Sequence, residues 1–300
     1  MHLASASHLL DPDVISSAEQ LGLHARQIVE GLMTGGNKSP FHGFAAEFSQ
    51  HREYAPGDEL RHLDWKLFGR SDRTFIRQYE QETNYVAHIL LDASGSMNYG
   101  SGRTNKVQYG KAIAACLSYL ILQQRDAAVI ELFDTVGREA VPRARTLGEI
   151  DPVLMALASS SAHGQTDIAS VLHQAAERNS RRGIVIVISD LFDDDQKFLN
   201  GLQHLRFVGH EVIVFHVLDP NELEFPFSGS LEFDDMEDGE TIAVPAGEIR
   251  QNYLEQIGQF CRRVREGCEQ NDSHYVLANT GRPLQETIGA YLAIRQRTPR

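Results

Sequence analysis

The sequence is short of cysteine, long apolar runs and positive charge, and each shortage excludes a class of protein. The three cysteines show no Cys-x-x-Cys spacing and no even set for a disulfide framework, so we expect buried free thiols. The longest apolar runs, at 113–122 and 183–189, are shorter than the roughly 20 residues that a membrane-spanning helix needs. No secretory signal is recognisable, so we expect a cytoplasmic protein without membrane insertion.

The shortage of positive charge argues against a nucleic-acid partner. The formal net charge is −13, whereas proteins that bind nucleic acid present a basic surface. One stretch, from residue 52 to residue 77, does interleave basic and aromatic side chains, as some nucleic-acid sites do. Acidic residues lie close by in sequence, and we interpret the stretch as a segment held by ion pairs.

Common catalytic motifs are also missing. Residues 93–97 read Ala-Ser-Gly-Ser-Met, which is not the Gly-x-Ser-x-Gly of a serine hydrolase. Residues 100–106 do not have the spacing of a P-loop. Haloacid-dehalogenase-type phosphatases need an Asp-x-Asp pair after the first strand, and here Ser94 takes the second position. We therefore predict that the chain is not an enzyme.

What the sequence does contain, from residue 85 onward, is an alternation of apolar strand patterns with helical periodicities. This alternation predicts an α/β fold with a doubly wound, mostly parallel sheet. The predicted strands are 85–92, 127–133, 138–141, 183–189, 211–218 and 273–277. The predicted helices are 106–125, 147–160, 168–178, 195–208, 247–270 and 283–297.

Two parts of the chain fall outside this alternation. We expect residues 1–83 to form a helix followed by an irregular segment that packs on a main domain spanning 84–300. After residue 220 the pattern breaks, which predicts a β-hairpin insertion at about 222–246. The acidic tip of that hairpin is not an EF-hand loop, because Met236 occupies a ligand position.

Hydroxyls and carboxylates gather where the predicted strands end. The motif Asp92-x-Ser94-x-Ser96 closes the first strand of the main domain, Asp190 follows the most apolar strand, and Thr166 lies in a loop beside them. Carboxyl ends of parallel strands meet at one edge of a sheet, where ligand sites are built. Alone, the two serines could simply cap a helix. Together, the five residues predict a site for a hard divalent cation.

This set of residues resembles the metal-ion-dependent adhesion site of von Willebrand factor type A domains. The resemblance implies that Ser94, Ser96 and Thr166 contact Mg²⁺, with Mn²⁺ or Ca²⁺ as alternative ions, while Asp92 and Asp190 hold its waters. Neutral hydroxyl ligands leave most of the metal charge uncompensated. A Glu or Asp donated by a partner protein can then complete the coordination.

The segment before the predicted strand 85–92 points to a more specific family. It contains Arg52-x-Tyr54-x-Pro56-Gly57-Asp58-x-x-Arg61-x-x-Asp64-Trp65 and then Phe75-Ile-Arg77-x-Tyr79-Glu80-x-Glu82. These motifs are similar to those of the family called domain of unknown function 58, over roughly residues 40–295. Members are often encoded beside MoxR-type AAA+ ATPases, so the resemblance implies an adaptor that works with such an ATPase in assembling or remodelling other proteins.

We therefore predict a non-enzymatic module for metal-dependent protein–protein interaction. Two alternatives stay open at this point. One is a Mg²⁺-dependent phosphohydrolase-like enzyme on a similar sheet. The other is a degenerate fold that keeps the motif for structural reasons and binds no metal.

Overall fold

A computed structural model gives the fold of the chain. It describes Gln20, Leu23, Ala25 and the ranges 46–53, 74–81, 86–123, 125–133, 138–140, 143–162, 164, 167–178, 182–193, 195–234 and 241–297. The chain divides into two compact units, one spanning residues 41–85 and the other comprising residues 1–40 and 86–300. Gln20, Leu23 and Ala25 are helical, and the rest of the predicted N-terminal helix lies outside the described residues.

The smaller unit contains two antiparallel strands, β1 (Ala46–Glu53) and β2 (Phe75–Gln81). Their register shifts between Phe48 and Gln50. The sequence interpretation treated this segment as irregular. The pairing escaped it because residues 54–74 separate the two strands, whereas hairpins are recognised from short turn sequences between their strands.

The described residues of the larger unit form eight further strands. They are β3 (Val86–Asp92), β4 (Ala127–Phe133), β5 (Arg138–Ala140), β6 (Ile184–Ser189), β7 (Glu211–Leu218), β8 (Ser230–Asp234), β9 (Thr241–Pro245) and β10 (His274–Asn279). Six of them form one sheet in the order β10-β7-β6-β3-β4-β5. Five of the six are parallel, and β5 pairs antiparallel with β4 at the edge. β8 and β9 form a separate antiparallel pair.

Helices connect the strands of the main sheet. They are α1 (Lys106–Gln123), α2 (Ile150–Ser159), α3 (Ile168–Arg178), α4 (Asp195–Val208), α5 (Pro220–Glu224), α6 (Ala246–Gln270) and α7 (Leu284–Arg297). The ends of the strands and helices predicted from residue 85 onward agree with these bounds to within three residues. The hairpin predicted at about 222–246 falls at β8 and β9 (Ser230–Asp234 and Thr241–Pro245), and the short helix α5 was not predicted. The predicted fold class, α/β with a doubly wound and mostly parallel sheet, is confirmed.

The central strands β3, β6 and β7 are buried on both faces and are accordingly rich in Ile, Val and Leu. On one face, Leu90, Val187 and Val214 pack with residues of α3, α4 and α6. On the other face, α1 lies against Leu91 and α7 places Tyr291 beside Phe215. The sheet is thus the middle of three layers.

The order of the strands locates the functional edge of the sheet. The chain moves from β3 outward to β4 in one direction, and then from β6 to β7 to β10 in the other. The carboxyl ends of the adjacent strands β3 and β6 therefore flank the point where the winding reverses. Open α/β sheets bind ligands in the crevice at this reversal. Asp92 ends β3 and Asp190 directly follows β6.

Hydropathy along the helices bears on the expected lack of membrane insertion. Among the helices in the described part of the chain, none combines the length and the apolar character that spanning a bilayer requires.

Gly110 allows α1 to pack closely against the sheet. A Cβ atom at Gly110 would lie 2.9 Å from Leu91 Cδ1 and 3.2 Å from Ile188 Cγ2, whereas one at the exposed helical Gly258 would meet nothing within 4 Å. We expect Gly258→Ala to raise the free energy of unfolding by up to about 1 kcal/mol. Gly110→Ala should be less stable than Gly258→Ala by about 1–3 kcal/mol, because it overpacks the core.

Denaturant unfolding of the two variants measures this difference. Both substitutions replace a helical glycine by alanine, so helix propensity cancels in the comparison. Equal stabilisation by both would show that α1 has room to accept a methyl group at the sheet.

Candidate functional site

Asp92 is held at the carboxyl end of β3 by hydrogen bonds to both of its carboxylate oxygens. The Ser94 amide donates to Oδ1 at 2.9 Å, and the Ser189 hydroxyl donates to Oδ2 at 2.6 Å. The second bond joins the ends of β3 and β6. The Asp92 side chain is fully buried, so its orientation is set by these donors and not by water.

The two serines of the motif bring their hydroxyls together. Ser94 Oγ and Ser96 Oγ share a 3.0 Å hydrogen bond, with Ser94 buried and Ser96 half-buried. Neighbouring ligands in an octahedron with Mg–O distances of 2.0–2.1 Å lie about 2.9 Å apart. The spacing of the two hydroxyl oxygens therefore fits two adjacent ligand positions around Mg²⁺.

A third loop contacts the serine motif. The Gly95 amide donates a 2.7 Å hydrogen bond to the carbonyl of Gly164, whose φ of +72° is one that glycine adopts readily. This contact fixes the loop before α3 against the loop after β3. Thr166, the threonine predicted to join the site, lies two residues further on and outside the described residues.

Ser189 and Asp190 bring the end of β6 into the same site. Besides donating to Asp92, the Ser189 hydroxyl accepts a 2.9 Å bond from the Leu191 amide. Asp190 is buried, and its Oδ1 accepts a long 3.3 Å bond from the Phe192 amide. Hydrogen bonds and chain neighbours thus connect Asp92, Ser94, Ser96 and Asp190 in one cluster. Ser189 is a member that the sequence analysis did not assign to the site.

A buried lysine is the largest feature that sequence reasoning missed. Lys106, the first residue of α1, is only 1% exposed, and its Nζ lies 2.7 Å from Asp190 Oδ2 and 2.6 Å from Glu222 Oε1. The rings of Phe192 and Tyr99 also face the ammonium, with centroids at 4.9 Å and 5.9 Å. No local spacing joins these residues, because 84 and 116 positions separate Lys106 from its acidic partners.

The two buried carboxylates of the site, Asp92 and Asp190, differ in whether a positive charge lies next to them. Burial, and then the nearby Asp190 carboxylate, raise the pKa of Asp92 to about 7 from its usual 3.8. Asp190 has the Lys106 ammonium as a counter-charge, whereas Asp92 forms no ion pair with a basic side chain of the described residues. A cation placed beside Asp92 would relieve this cost.

The donors available are mainly oxygen atoms of serines. Across the described ranges, no group of three or more His, Cys, Asp or Glu side chains has the arrangement of a metal site. A metal at this edge of the sheet would therefore depend on the hydroxyls of Ser94 and Ser96. Hydroxyls and carboxylates suit Mg²⁺, Mn²⁺ or Ca²⁺ better than zinc or copper.

His216 supports Asp190 from the neighbouring strand β7. Its Nε2 lies 2.9 Å from the Asp190 carbonyl oxygen, and its Nδ1 lies 2.9 Å from the Tyr275 hydroxyl. A carbonyl can only accept, so Nε2 carries the proton and Nδ1 accepts from Tyr275. Both nitrogens of the neutral ring are satisfied. Burial lowers the pKa of His216 to about 4.

Asp219, at the end of β7, anchors the loop that follows the serine motif. Its carboxylate accepts bonds from the amide and the hydroxyl of Ser101, at 3.0 and 2.5 Å, and from the Thr280 hydroxyl at 3.0 Å. It also begins α5 through a capping box with Glu222. The loop between Ser96 and Lys106 is thereby tied to the ends of β7 and β10.

The loop after β6 presents an aromatic side chain next to the site. Leu191 has a φ of +58°, an unusual conformation for a non-glycine residue. Phe192, which follows it, stacks on Phe260 of α6 at 5.6 Å and is 42% exposed. One face of the ring covers Lys106, while part of the ring stays open to solvent.

By sequence, the chain matches one family model and resembles proteins from two species of Mycobacterium. A family model described as "Protein of unknown function DUF58" matches residues 50–259. Uncharacterized proteins of Mycobacterium bovis and Mycobacterium tuberculosis are each 25% identical to the chain over 234 residues, covering 76% of the chain and 73% of the relative.

Solved structures give weaker matches. An aerotolerance-related membrane protein from Bacteroides fragilis has a TM-score of 0.49 at 17% identity, covering 70% of this chain and 99% of that one. The conserved hypothetical protein BatB from Bacteroides thetaiotaomicron has a TM-score of 0.47 at 18% identity, covering 71% and 100%. The VWA domain of SpRpn10 has a TM-score of 0.40 at 12% identity, covering 69% and 94%. Since all three scores are below 0.5, the fold assignment rests on the sheet topology.

The neutral His216 makes stability depend on pH. The folded chain keeps the ring unprotonated down to about pH 4, whereas the unfolded chain takes up a proton near pH 6.5. The stability that this difference contributes is present above pH 6.5 and is lost as the pH falls towards 4, by up to about 3 kcal/mol. Because Asp92 has a raised pKa and acts in the opposite direction, the wild type must be compared with a His216 variant.

His216→Gln provides this comparison, since its amide can still donate to Asp190 but does not titrate. We expect the stability advantage of the wild type over His216→Gln to shrink as the pH falls from 6.5 to 4, in urea unfolding curves at each pH. An advantage that does not change with pH would mean that His216 is protonated in the folded protein.

Proposed function

Because this chain belongs to the DUF58 family of proteins of unknown function, its own site has to indicate its role, and we propose that it is a non-enzymatic module for metal-dependent protein–protein interaction. One observation carries the proposal. The hydroxyl oxygens of Ser94 and Ser96 lie 3.0 Å apart, beside the buried carboxylate of Asp92, which has no cationic partner among the described residues. Two adjacent hydroxyl oxygens beside a carboxylate that lacks a counter-charge are suitable ligands for a divalent cation.

Each residue has a distinct role in this proposal. Ser94 and Ser96, joined by Thr166, would hold Mg²⁺ directly, with Mn²⁺ or Ca²⁺ as alternative ions. Asp92 and Asp190 would hold water molecules around it. When bound, the metal supplies a positive charge that hydroxyl ligands do not neutralise, and a Glu or Asp side chain of a partner protein would complete the site.

For the partner, we propose an AAA+ ATPase of the MoxR type or a protein handled together with it. The support is the resemblance of the segment from Arg52 to Glu82 to a family whose members are often encoded beside such ATPases. In this role the chain would act as an adaptor in the assembly or remodelling of other proteins. We propose the cytoplasm as its compartment, in keeping with three cysteines that are free thiols.

The hydrogen bonds of Asp92 do not favour the phosphohydrolase alternative. An aspartate that attacks phosphorus must present a free oxygen to its substrate. Both carboxylate oxygens of Asp92 accept hydrogen bonds, and the side chain has no exposed surface. The position that could carry a second aspartate is occupied by Ser94.

Metal binding by the two serines can be measured directly. We expect the wild type to bind Mn²⁺, followed by electron paramagnetic resonance of the free ion, and to release it on addition of Mg²⁺. Ser94→Ala/Ser96→Ala should weaken Mn²⁺ binding at least about ten-fold, because two of the oxygen ligands are lost. Ser159→Ala, at the end of α2, is a matched control that should bind as the wild type does. Failure of the folded wild type to bind Mn²⁺ at millimolar concentrations would favour the degenerate fold.

The role of the metal in partner binding calls for a separate measurement. In affinity purification from cells, we expect an AAA+ ATPase to be recovered with the wild type and with Ser159→Ala in Mg²⁺ buffer. It should be lost in EDTA and with Ser94→Ala/Ser96→Ala, because the partner carboxylate then has no metal to bind. Recovery of the same ATPase under all four conditions would contradict a metal bridge, even if the ATPase is the partner.

A further inference from the structure

Lys106 occupies a position that is unfavourable for a lysine unless it has a specific task. It is the first residue of α1, where the positive end of the helix dipole opposes a cation. It is also almost completely buried, which is costly for an ammonium group without partners. Its partners are two carboxylates, those of Asp190 and Glu222.

These contacts place a fixed cation next to the proposed metal site. Asp190 Oδ2 accepts from Lys106 at 2.7 Å, and Oδ1 accepts one long bond from the Phe192 amide, so Oδ1 is the less engaged oxygen for a metal-bound water. The three carboxylates of Asp92, Asp190 and Glu222 and the one ammonium of Lys106 leave two negative formal charges when all are ionised. The lysine therefore removes one negative charge and engages one of the carboxylates that a metal would use.

We propose that Lys106 is a positioning residue that weakens the hold of this chain on a divalent cation by competing with it for Asp190, and that Glu222 moderates this competition. The inference rests on the proposed metal site and deepens it. A site weakened in this way would retain its metal firmly only when a partner carboxylate supplies the missing negative charge. Partner binding and metal binding would then be coupled.

Two substitutions separate this role from a merely structural one, because they break the same ion pair from opposite sides. Lys106→Met frees Asp190 and leaves the site more negative, so the affinity for Mn²⁺ should rise, on the order of ten-fold. Glu222→Gln leaves Lys106 with Asp190 as its only carboxylate partner and makes the site less negative, so the affinity should fall several-fold. If the ion pair served only to hold the fold together, both variants would bind Mn²⁺ more weakly.

The chain offers matched controls for both variants. Lys111 lies on the same helix and donates to the Ser160 carbonyl at 2.6 Å, so Lys111→Met changes an α1 lysine without touching a carboxylate. Glu224→Gln changes an exposed acid of α5. Both should bind Mn²⁺ as the wild type does, measured by electron paramagnetic resonance of the free ion with circular dichroism as the test of folding.

Loss of the ammonium could unfold the protein in the absence of metal, since it strands two carboxylates in a buried site. The double variant Lys106→Met/Glu222→Gln removes one charge of each sign and still frees Asp190, so it should bind Mn²⁺ at least as tightly as the wild type. Thermal unfolding supplies a second readout, because Mn²⁺ should raise the melting temperature of Lys106→Met more than that of the wild type.

Each outcome has a distinct meaning. Unchanged or weaker Mn²⁺ binding by folded Lys106→Met, or tighter binding by Glu222→Gln, would overturn the competition and leave the metal-dependent function intact. Binding by Lys106→Met but not by the wild type would support the competition and overturn metal dependence in the natural protein. If no variant and no wild type bound Mn²⁺, both proposals would fall together.

Discussion

The hydrogen bond from Ser189 to Asp92 joins the two strands on which the whole site depends. It is 2.6 Å long, fully buried, and connects the carboxyl ends of β3 and β6 at the point where the winding of the sheet reverses. A buried carboxylate is costly unless donors surround it, and here the donors come from both strands. The loops that carry Ser94, Ser96 and Asp190 all leave from this junction.

Several other buried polar and ionisable side chains surround this junction, and most of them have a hydrogen-bond or ion-pair partner. Asp190 is paired with Lys106, while Asp219 is satisfied by hydroxyl and amide donors of Ser101 and Thr280. His216 remains neutral, with both ring nitrogens bonded. These polar groups lie where mainly apolar strands end. A buried polar network of this kind is stable only when nearly every member has a hydrogen-bond partner. Asp92 and Asp219 are the two carboxylates here that have hydrogen-bond donors but no ion pair with a basic side chain of the described residues.

Sequence reasoning found part of this network because of regular rules. Asp92, Ser94 and Ser96 follow a strand at alternate positions, and Asp190 follows another strand, so strand order alone brings them close. Lys106 and Glu222 obey no such rule. They are far apart in sequence, each lies in the first turn of a helix, and a lysine or glutamate at such a place usually faces solvent. Only the tertiary arrangement of α1 and α5 places Lys106 between the carboxylates of Asp190 and Glu222.

Sequence patterns alone predict the layered α/β fold of the larger unit, because apolar strand segments can be buried on both faces of a parallel sheet by helices with an apolar stripe. The sequence also placed Asp92 and Asp190 at the carboxyl ends of two strands, although it did not assign the Ser189 hydroxyl that joins them. The pairing of β1 with β2 across a long connection and the burial of Lys106 between two acids become visible only in the folded chain. Both depend on contacts between residues distant in the chain, and no local pattern of side chains encodes such contacts.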